Sequence, residues 1–170
     1  MSSIALRPAS LADCAAVAGV HARARSAYYR GLVPDQELAA YARTLPARYQ
    51  EIMTRSTRTV RCAERDGTVV GVTVTGPEDA PAAGQAVIAR LYQIQVEPDC
   101  WRQGIGSRLM AACVQDWQAA GLGWARLDVW EHNTRAHAFY ARHGWRPDGR
   151  SRGGADNSRY LGLTLRLRPA

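Results

Sequence analysis

The stretch Ile94-Gln95-Val96-Glu97-Pro98-Asp99-Cys100-Trp101-Arg102-Gln103-Gly104-Ile105-Gly106-Ser107 decides the predicted fold, because it joins a strand to a helix through a loop with two glycines. The first turn of a helix carries backbone N–H groups without intrahelical partners, and the helix dipole adds partial positive charge there. Gly104 and Gly106 lack a Cβ atom, so the backbone can approach a phosphate closely. The stretch therefore predicts a phosphate site, with Arg102 as a cation at its rim.

Two glycines alone do not identify a ligand, because an ordinary turn from strand to helix uses the same residues. The loop has neither the Gly-Lys-Ser/Thr sequence of a nucleoside-triphosphate loop nor the third glycine of a dinucleotide fingerprint. The chain contains no lysine at all. The pattern thus excludes these two common phosphate-binding motifs.

The first 55 residues predict a short strand followed by two helices. Alternation over Ile4–Pro8 is typical of a strand, and Ser10 with Asp13 is typical of the capping box that starts a helix. We expect this first helix to end at Gly31 and Pro34. A second helical region is predicted from Asp35 to Arg55, broken by Pro46.

A period of two begins at Thr59 and predicts a hairpin. Thr59–Glu64 and Thr68–Val74 flank Asp66-Gly67, which favours a tight turn between two strands. A loop is then expected from Gly76 to Gly84. The next strand, Ala86–Val96, is mostly apolar and leads into the glycine loop.

Beyond the loop, apolar residues at helical spacing alternate with further strands. The predicted elements are a helix from Ile105 that ends at Gly121, a strand Trp124–Trp130, a helix Thr134–His143 capped by Asn133 and ended by Gly144, and the strand-like segments Trp145–Pro147 and Tyr160–Leu167, separated by a polar loop Ser151–Asn157. The order strand, helix, strand predicts a parallel right-handed crossover.

Composition limits the class of protein. A chain of 170 residues is expected to form a single domain, 1–170. The net charge of +7 comes from arginines scattered along the chain, which favours a small anionic ligand and argues against nucleic acid as the partner. The four cysteines have no metal-like spacing, and no apolar run is long enough for a membrane span. We expect a cytoplasmic protein that binds neither membrane nor metal.

A second motif, Asn133-x-x-Ala136-x-x-Phe139-Tyr140-x-x-x-Gly144-Trp145, follows the glycine loop. Together the two motifs resemble the GNAT superfamily of acetyl-CoA-dependent N-acetyltransferases. The resemblance covers Ile4–Leu167 in the order of elements and Leu91–Trp145 in motifs. It implies an α/β (α+β) fold, with a mixed, mostly antiparallel seven-stranded sheet, splayed central strands and about four flanking helices.

The resemblance also implies how acetyl-CoA binds as a co-substrate. The pantetheine arm would pair with the main chain of Ile94, Gln95 and Val96. The pyrophosphate and its surroundings would be held by residues of the two motifs, namely Arg102, Gln103, Gly104, Ile105, Gly106, Ser107, Asn133 and Tyr140. Trp101 departs from the family, which usually has Gln or Arg three residues before the first glycine.

Tyr140 matches the general acid of the family, which protonates the departing thiolate. Without the motif, Tyr140 would be taken as a core aromatic residue. Asp128 stands where some family members carry a carboxylate base, although an aspartate on a strand is more often salt-bridged. The amine could also lose its proton to water, through Glu97 or Tyr92, or without a dedicated group.

Tyr28 and Tyr29 lie in the segment that resembles the acceptor side of small-molecule acetyltransferases. Their rings could hold a cationic acceptor by cation–π contact, or could pack the helix onto the sheet. The acceptor, a small-molecule or peptide amine, is not identified by the sequence, and family habit favours a homodimer. Two other functions stay open, a non-catalytic acyl-CoA-binding module and a basic nucleic-acid-binding domain.

Overall fold

The computed structural model describes residues 3–78, 87–154 and 158–168 of the chain. Seven strands form one sheet in the order β1-β2-β3-β4-β5-β7-β6. The strands are β1 (Ile4–Pro8), β2 (Thr59–Arg65), β3 (Thr68–Pro77), β4 (Ala89–Val96), β5 (Trp124–Trp130), β6 (Arg146–Gly153) and β7 (Arg159–Arg166). The helices in these ranges are α1 (Cys14–Tyr29), α2 (Asp35–Arg55), α3 (Ile105–Ala119) and α4 (Thr134–Arg142).

The pairing of the strands is mixed and mostly antiparallel, as predicted. The pairs β1–β2, β2–β3, β5–β7 and β6–β7 are antiparallel. The β4–β5 pair is parallel and joins Ala89 to Ala125 and Arg90 to Arg126. The predicted fold class is therefore confirmed, and so is the parallel connection through α3.

Contacts divide the chain into two compact units, residues 1–75 with 93–109 and residues 76–92 with 110–170. In the first unit, the start of α3 and the end of β4 share one core. Its buried members are Ile4, Ala63, Val70, Ile105 and Leu109, with Leu6, Ile94, Val96 and Cys100 packed against them. This shared core fixes both ends of the glycine loop.

Local turn chemistry follows the sequence closely. The predicted hairpin turn has positive φ at both Asp66 (50°) and Gly67 (76°), as a two-residue hairpin loop requires. At the start of the first helical region, the Asp13 carboxylate accepts hydrogen bonds from the Ser10 N–H (2.7 Å) and hydroxyl (2.9 Å). The residues between them form a 3₁₀ turn, Leu11–Asp13, before α1 begins.

The prediction that Pro46 breaks the second helix is wrong. α2 is continuous from Asp35 to Arg55 and contains Pro46. Proline removes one helical hydrogen bond and crowds the preceding turn. The buried side chains of Leu45 and Tyr49 lie on either side of it. Because this apolar face is anchored, packing outweighs the lost bond.

In the second unit, α4 has the predicted ends. The Asn133 side-chain oxygen accepts a hydrogen bond from the Ala136 N–H at 3.0 Å and caps the helix. Gly144 follows the helix with φ +82°. Trp145 then packs its ring edge-on against Trp117, with 6.3 Å between the centroids.

Three predicted boundaries are wrong by a few residues. Gly76 belongs to β3, which continues to Pro77, so the expected loop starts later; its residues 79–84 lie outside the described ranges. β4 begins at Ala89, and position 86 also lies outside them. β6 extends to Gly153 through residues expected to be loop. The end of β6 is exposed and polar, and its pairing with β7 rather than apolar burial holds it in the sheet.

No helix among the described residues has the length and apolar character needed to cross a membrane.

Candidate functional site

The glycine loop begins where β4 ends. The Glu97 N–H donates to the Val70 carbonyl at 2.9 Å, and residues Pro98–Cys100 form a 3₁₀ turn. The Trp101 indole N–H donates to the Val96 carbonyl at 2.7 Å. Trp101, the departure from the family pattern, therefore ties the loop back to the strand that precedes it.

Two residues of the loop adopt positive φ, Arg102 at 62° and Gly104 at 78°. This conformation is unfavourable for arginine, so the surrounding structure must stabilise it at Arg102. A Cβ atom added at Gly104 would meet no protein atom within 4 Å. The space in front of Gly104 is therefore open.

The main-chain N–H groups of Arg102, Gln103, Gly104, Ile105 and Gly106 donate no hydrogen bond to any protein group in the described part of the chain. The first amide of this region with a helical acceptor is that of Arg108, which donates to the Gly104 carbonyl at 3.0 Å. Ser107 has an interaction of its own within the protein. Five consecutive amides at an exposed helix start are thus available to an anion.

The side chains around the loop orient it. Gln103 donates from its amide to the Asp99 carbonyl (3.0 Å) and accepts from an Arg65 guanidinium nitrogen (2.7 Å). A second Arg65 nitrogen lies 3.8 Å from the Cys100 sulfur. Arg65, at the end of β2, was not singled out from the sequence. Because the Gln103 side chain already has these two partners, we expect Gln103 to contact an anion through its main-chain N–H.

The three β4 residues predicted to meet the pantetheine arm point alternately to two faces. Ile94 and Val96 pack against the apolar core of the first unit. Gln95 lies on the other face, where it is buried and donates to the Gln93 side chain at 3.0 Å. Tyr28 is a further neighbour of Gln95: burial raises the pKa of the Tyr28 phenol, and the Gln95 side chain acts against that effect.

In the second unit, Tyr140 lies on α4 and is buried at 8% exposure. Its ring packs edge-on against Phe139 and Trp145, with centroid distances of 5.5 and 6.0 Å. Asn133 uses its side-chain oxygen to cap the helix, which leaves the amide nitrogen as its donor. Both residues are therefore held in fixed positions by the helix they belong to.

Asp128 on β5 is engaged by arginines. Its carboxylate accepts hydrogen bonds from Arg90 and from Arg152, the latter at 3.0 Å. Burial alone would raise the pKa of Asp128, but the hydrogen bonds and charges of Arg152 and Arg90 outweigh burial and lower it. A carboxylate with a lowered pKa is a weak proton acceptor. Of the two alternatives left open by the sequence, this geometry favours the salt-bridged one.

The other candidate proton acceptors also have internal partners. Glu97 accepts three hydrogen bonds from the Arg23 guanidinium, at 2.8 to 3.0 Å. The Tyr92 hydroxyl donates to the Pro77 carbonyl at 2.7 Å. Each of these groups would have to exchange a protein partner before it could accept a proton from an amine.

Tyr28 and Tyr29 lie at the end of α1, with 4.6 Å between their ring centroids. Tyr29 is buried at 4% exposure, and its ring faces the guanidinium carbon of Arg25 at 4.3 Å. The Tyr29 ring thus already binds a cation of the protein itself. Arg25 was not singled out from the sequence, although its spacing of four residues from Tyr29 on a helix allows the contact.

Metal ligands were not expected from the sequence. Within residues 3–78, 87–154 and 158–168, no group of three or more His, Cys, Asp or Glu side chains could hold a metal ion. The four cysteines are free thiols.

A sequence model of the Acetyltransferase (GNAT) family matches residues 22–145. No curated protein sequence matches the chain significantly.

Three solved structures illustrate the likeness of the fold. The PaiA N-acetyltransferase of Thermoplasma acidophilum, solved with coenzyme A, is 16% identical, with a TM-score of 0.77 over 96% of this chain and 99% of that chain. An acetyltransferase of the GNAT family from Streptococcus pneumoniae is 19% identical, with a TM-score of 0.67 over 98% and 100%. The ribosomal-protein-S18-alanine N-acetyltransferase of Escherichia coli is 17% identical, with a TM-score of 0.66 over 99% and 96%.

Proposed function

Because the chain belongs to the acetyltransferase (GNAT) family, and is thus an acyltransferase, we propose that it moves an acetyl group from acetyl-CoA to a primary amine. The amine attacks the thioester directly, without an acyl-enzyme intermediate. One observation carries the proposal: five amides at the start of α3, from Arg102 to Gly106, have no acceptor among the described residues of the protein.

The loop fits a diphosphate in charge and in shape. The N–H groups and the helix dipole supply positive potential, and the exposed Arg102 adds a full charge at the rim. The open space in front of Gly104 lets phosphate oxygens approach the backbone. In this proposal the pyrophosphate of acetyl-CoA binds here, and its pantetheine arm pairs with the main chain of Ile94, Gln95 and Val96. Asn133 contributes its side-chain amide.

Transfer requires a neutral amine, stabilisation of the oxyanion and a proton for the departing thiolate. In the proposed reaction the amine nitrogen forms a bond with the thioester carbon, and the Val96 N–H donates to the oxygen that becomes negative. The C–S bond then breaks, and the Tyr140 phenol gives its proton to the sulfur. The proton released by the amine returns the tyrosinate to phenol, so that charge and protons balance.

A protonated amine must lose one proton before it attacks, and in this scheme that first proton goes to water, whereas the proton lost after the attack goes to the tyrosinate. Asp128 and Glu97 both accept hydrogen bonds from arginines, which disfavours either carboxylate as a base. An amine that reaches the site in its neutral form needs no dedicated group. A role of Asp128 as the general base is the alternative. The pH profile of the Asp128→Asn variant distinguishes the two.

The proposal is tested by the release of free thiol from acetyl-CoA against a panel of amines, with direct titration of CoA in parallel. We expect at least one amine to be acetylated, and Tyr140→Phe to lower kcat about 100-fold with little change in the Kd of CoA. Tyr160→Phe removes a hydroxyl from a tyrosine of β7 and serves as the matched control.

The outcomes separate the open alternatives. CoA binding with no thiol release from any amine, in wild type and Tyr140→Phe alike, would identify a non-catalytic acyl-CoA-binding module. Steeply salt-dependent binding of DNA without affinity for CoA would identify a nucleic-acid-binding domain. A Phe variant as fast as wild type would remove Tyr140 from the mechanism and leave the transfer reaction in place.

A further inference from the structure

The first unit contains a cation held between aromatic rings. The guanidinium carbon of Arg25, on α1, lies 4.3 Å from the ring centroid of Tyr29 and 4.1 Å from that of Tyr41 on α2. The guanidinium of Arg48 lies 5.4 Å from the Tyr41 ring. We call these residues, together with Tyr28, the Arg25 cluster. Two helices thus bring their aromatic side chains around one half-buried arginine.

Arg25 has no counter-ion in the described part of the chain. Its Nε atom is buried and makes no hydrogen bond there. Burial alone would lower the pKa of Arg25, and the groups that raise it in compensation are the three tyrosines, with no carboxylate among them. Arg23, two residues earlier on the same helix, pairs instead with Glu97 at 2.8 Å.

A buried cation without a counter-ion is costly to desolvate, and stacking on tyrosine rings offsets only part of that cost. An anion that reaches Arg25 would therefore gain a partner that the protein does not supply. This arrangement is what a receptor for a ligand anion requires, because the cation is held in place but is not neutralised.

The groups that face the cluster keep its charge positive. His21 is buried against the Tyr49 hydroxyl, with 3.0 Å between the two polar atoms. Burial, together with the charges of Arg25 and Arg48, lowers the pKa of His21 to about 4, so the imidazole is neutral at pH 7. Among the neighbouring tyrosines, burial raises the pKa of Tyr28, which favours its neutral form. The net charge of the cluster is therefore set by its two arginines.

The cluster is connected to the strand proposed for the pantetheine arm. Burial raises the pKa of the Tyr28 phenol, and nearby Arg25 and the Gln95 side chain of β4 act against that effect, so Tyr28 lies between the two. The Tyr28 side chain would therefore lie between a molecule bound at Arg25 and strand β4.

We propose that Arg25 binds a carboxylate of the acceptor, an inference that rests on the proposed function. The acceptor would then be a small molecule with both a primary amine and a carboxylate, such as an amino acid. It argues against one of the two roles left open for Tyr28 and Tyr29, cation–π contact with a cationic acceptor, because the cation at the Tyr29 ring is Arg25 itself. It also disfavours polyamines, whose positive charges the two arginines repel.

The test compares amino acids with their carboxamides, which keep the amine and the side chain but lack the negative charge. We expect wild type to show a higher kcat/KM for the acids. Arg25→Met should reduce the acid-to-amide ratio 10- to 100-fold, the size of one charge-assisted hydrogen bond. Arg25→Lys should restore part of the ratio. The exposed Arg43, which lies on α2 but outside the cluster, provides the control Arg43→Met, for which we expect a change below threefold.

Two further measurements keep the outcome decisive. The Kd of CoA should be the same in wild type and in all three variants, since none of the changed residues lies in the glycine loop. Calorimetric titration of acid and amide into CoA-loaded wild type compares the two ligands without any variant and without turnover, so it holds even if Arg25→Met does not fold.

Equal affinity for acid and amide, or an unchanged ratio in a folded Arg25→Met, would overturn the inference while leaving acetyl transfer intact. Failure of wild type to bind CoA would count against the proposed function. In that case, titration of acid and amide into the unliganded protein still decides the inference.

Discussion

Substitution of Gly104 by alanine tests the phosphate site with a matched control in the same helix. Gly104 precedes α3 with φ +78°, and Gly121 follows α3 with φ +71°. A Cβ atom at either position would meet no protein atom within 4 Å. The two glycines thus share a positive φ and open surroundings, at opposite ends of a helix about 22 Å long.

The cost to folding should be equal at the two positions. Alanine in the left-handed region costs about 1 to 2 kcal/mol, of which the lower entropy of the unfolded chain returns roughly 0.4 to 1 kcal/mol. We therefore expect Gly104→Ala and Gly121→Ala each to lower the free energy of unfolding by about 1 kcal/mol, measured by urea titration.

The cost to CoA binding should differ. A methyl group at Gly104 fills the space through which phosphate oxygens would reach the loop amides. Loss of one hydrogen bond to a charged group costs about 1.5 to 3 kcal/mol, so the Kd of CoA should rise roughly 10- to 150-fold in Gly104→Ala. Gly121→Ala should bind as wild type does. Equal Kd values for the two variants in calorimetry would refute the placement of the pyrophosphate at this loop.

Three further predictions concern charged side chains. Asp128→Asn should lower the free energy of unfolding by about 1 to 2 kcal/mol, because it weakens the bonds of two arginines, and should leave the pH profile of kcat/KM unchanged; loss of the acidic limb of that profile would instead identify Asp128 as the base. Arg65→Met removes the hydrogen bond that orients Gln103, so the Kd of CoA should rise about 3- to 10-fold, with no change in kcat at saturating acetyl-CoA. An unchanged Kd would show that the loop keeps its shape without this contact. Hydrogen bonds from Arg7 and, to a lesser extent, from the Ser10 N–H hold the pKa of Asp13 well below its usual range. The contribution of Asp13 to stability is therefore complete above about pH 4 and declines as the pH falls toward the lower folded-state pKa. Urea titrations between pH 5 and 2 should show a steeper loss of unfolding free energy for wild type than for Asp13→Asn, and parallel curves would contradict this.

Local signals were sufficient for most of the fold. The Asp66-Gly67 turn, the Asn133 cap and the Gly144 terminator each depend on one or two residues whose backbone preferences are strong. Such signals do not depend on distant parts of the chain. They were predicted correctly for that reason.

Where tertiary packing opposes a local preference, the sequence pattern misled. Proline at position 46 has a strong tendency to end a helix, but the burial of Leu45 and Tyr49 on the same helix is not visible from local propensity. The error at the exposed end of β6 is different: its residues are typical of a loop, but pairing with β7 keeps them in a strand. Both errors come from contacts between residues far apart in the sequence.

The predictions for the candidate site show the same difference between local and long-range signals. The glycine loop is a continuous segment whose function depends on its own backbone, so its anion-binding character could be predicted from consecutive residues. The state of Asp128 depends on Arg90 and Arg152, which are 38 and 24 residues away. Its lowered pKa therefore could not be foreseen from the position that it shares with a family base.

The charge expected of the acceptor depends on such long-range contacts as well. From the sequence, the rings of Tyr28 and Tyr29 could either hold a cationic acceptor or pack the helix onto the sheet. The Tyr41 ring, which comes from a different helix, lies closer to the Arg25 guanidinium than Tyr29 does, at 4.1 against 4.3 Å. The cation that contacts these rings is part of the protein. The cluster therefore carries a positive charge without a counter-ion among the described residues, and it favours a negatively charged ligand. An aromatic segment beside a binding strand therefore indicates the charge of a ligand only after the side chains that already occupy its rings are known.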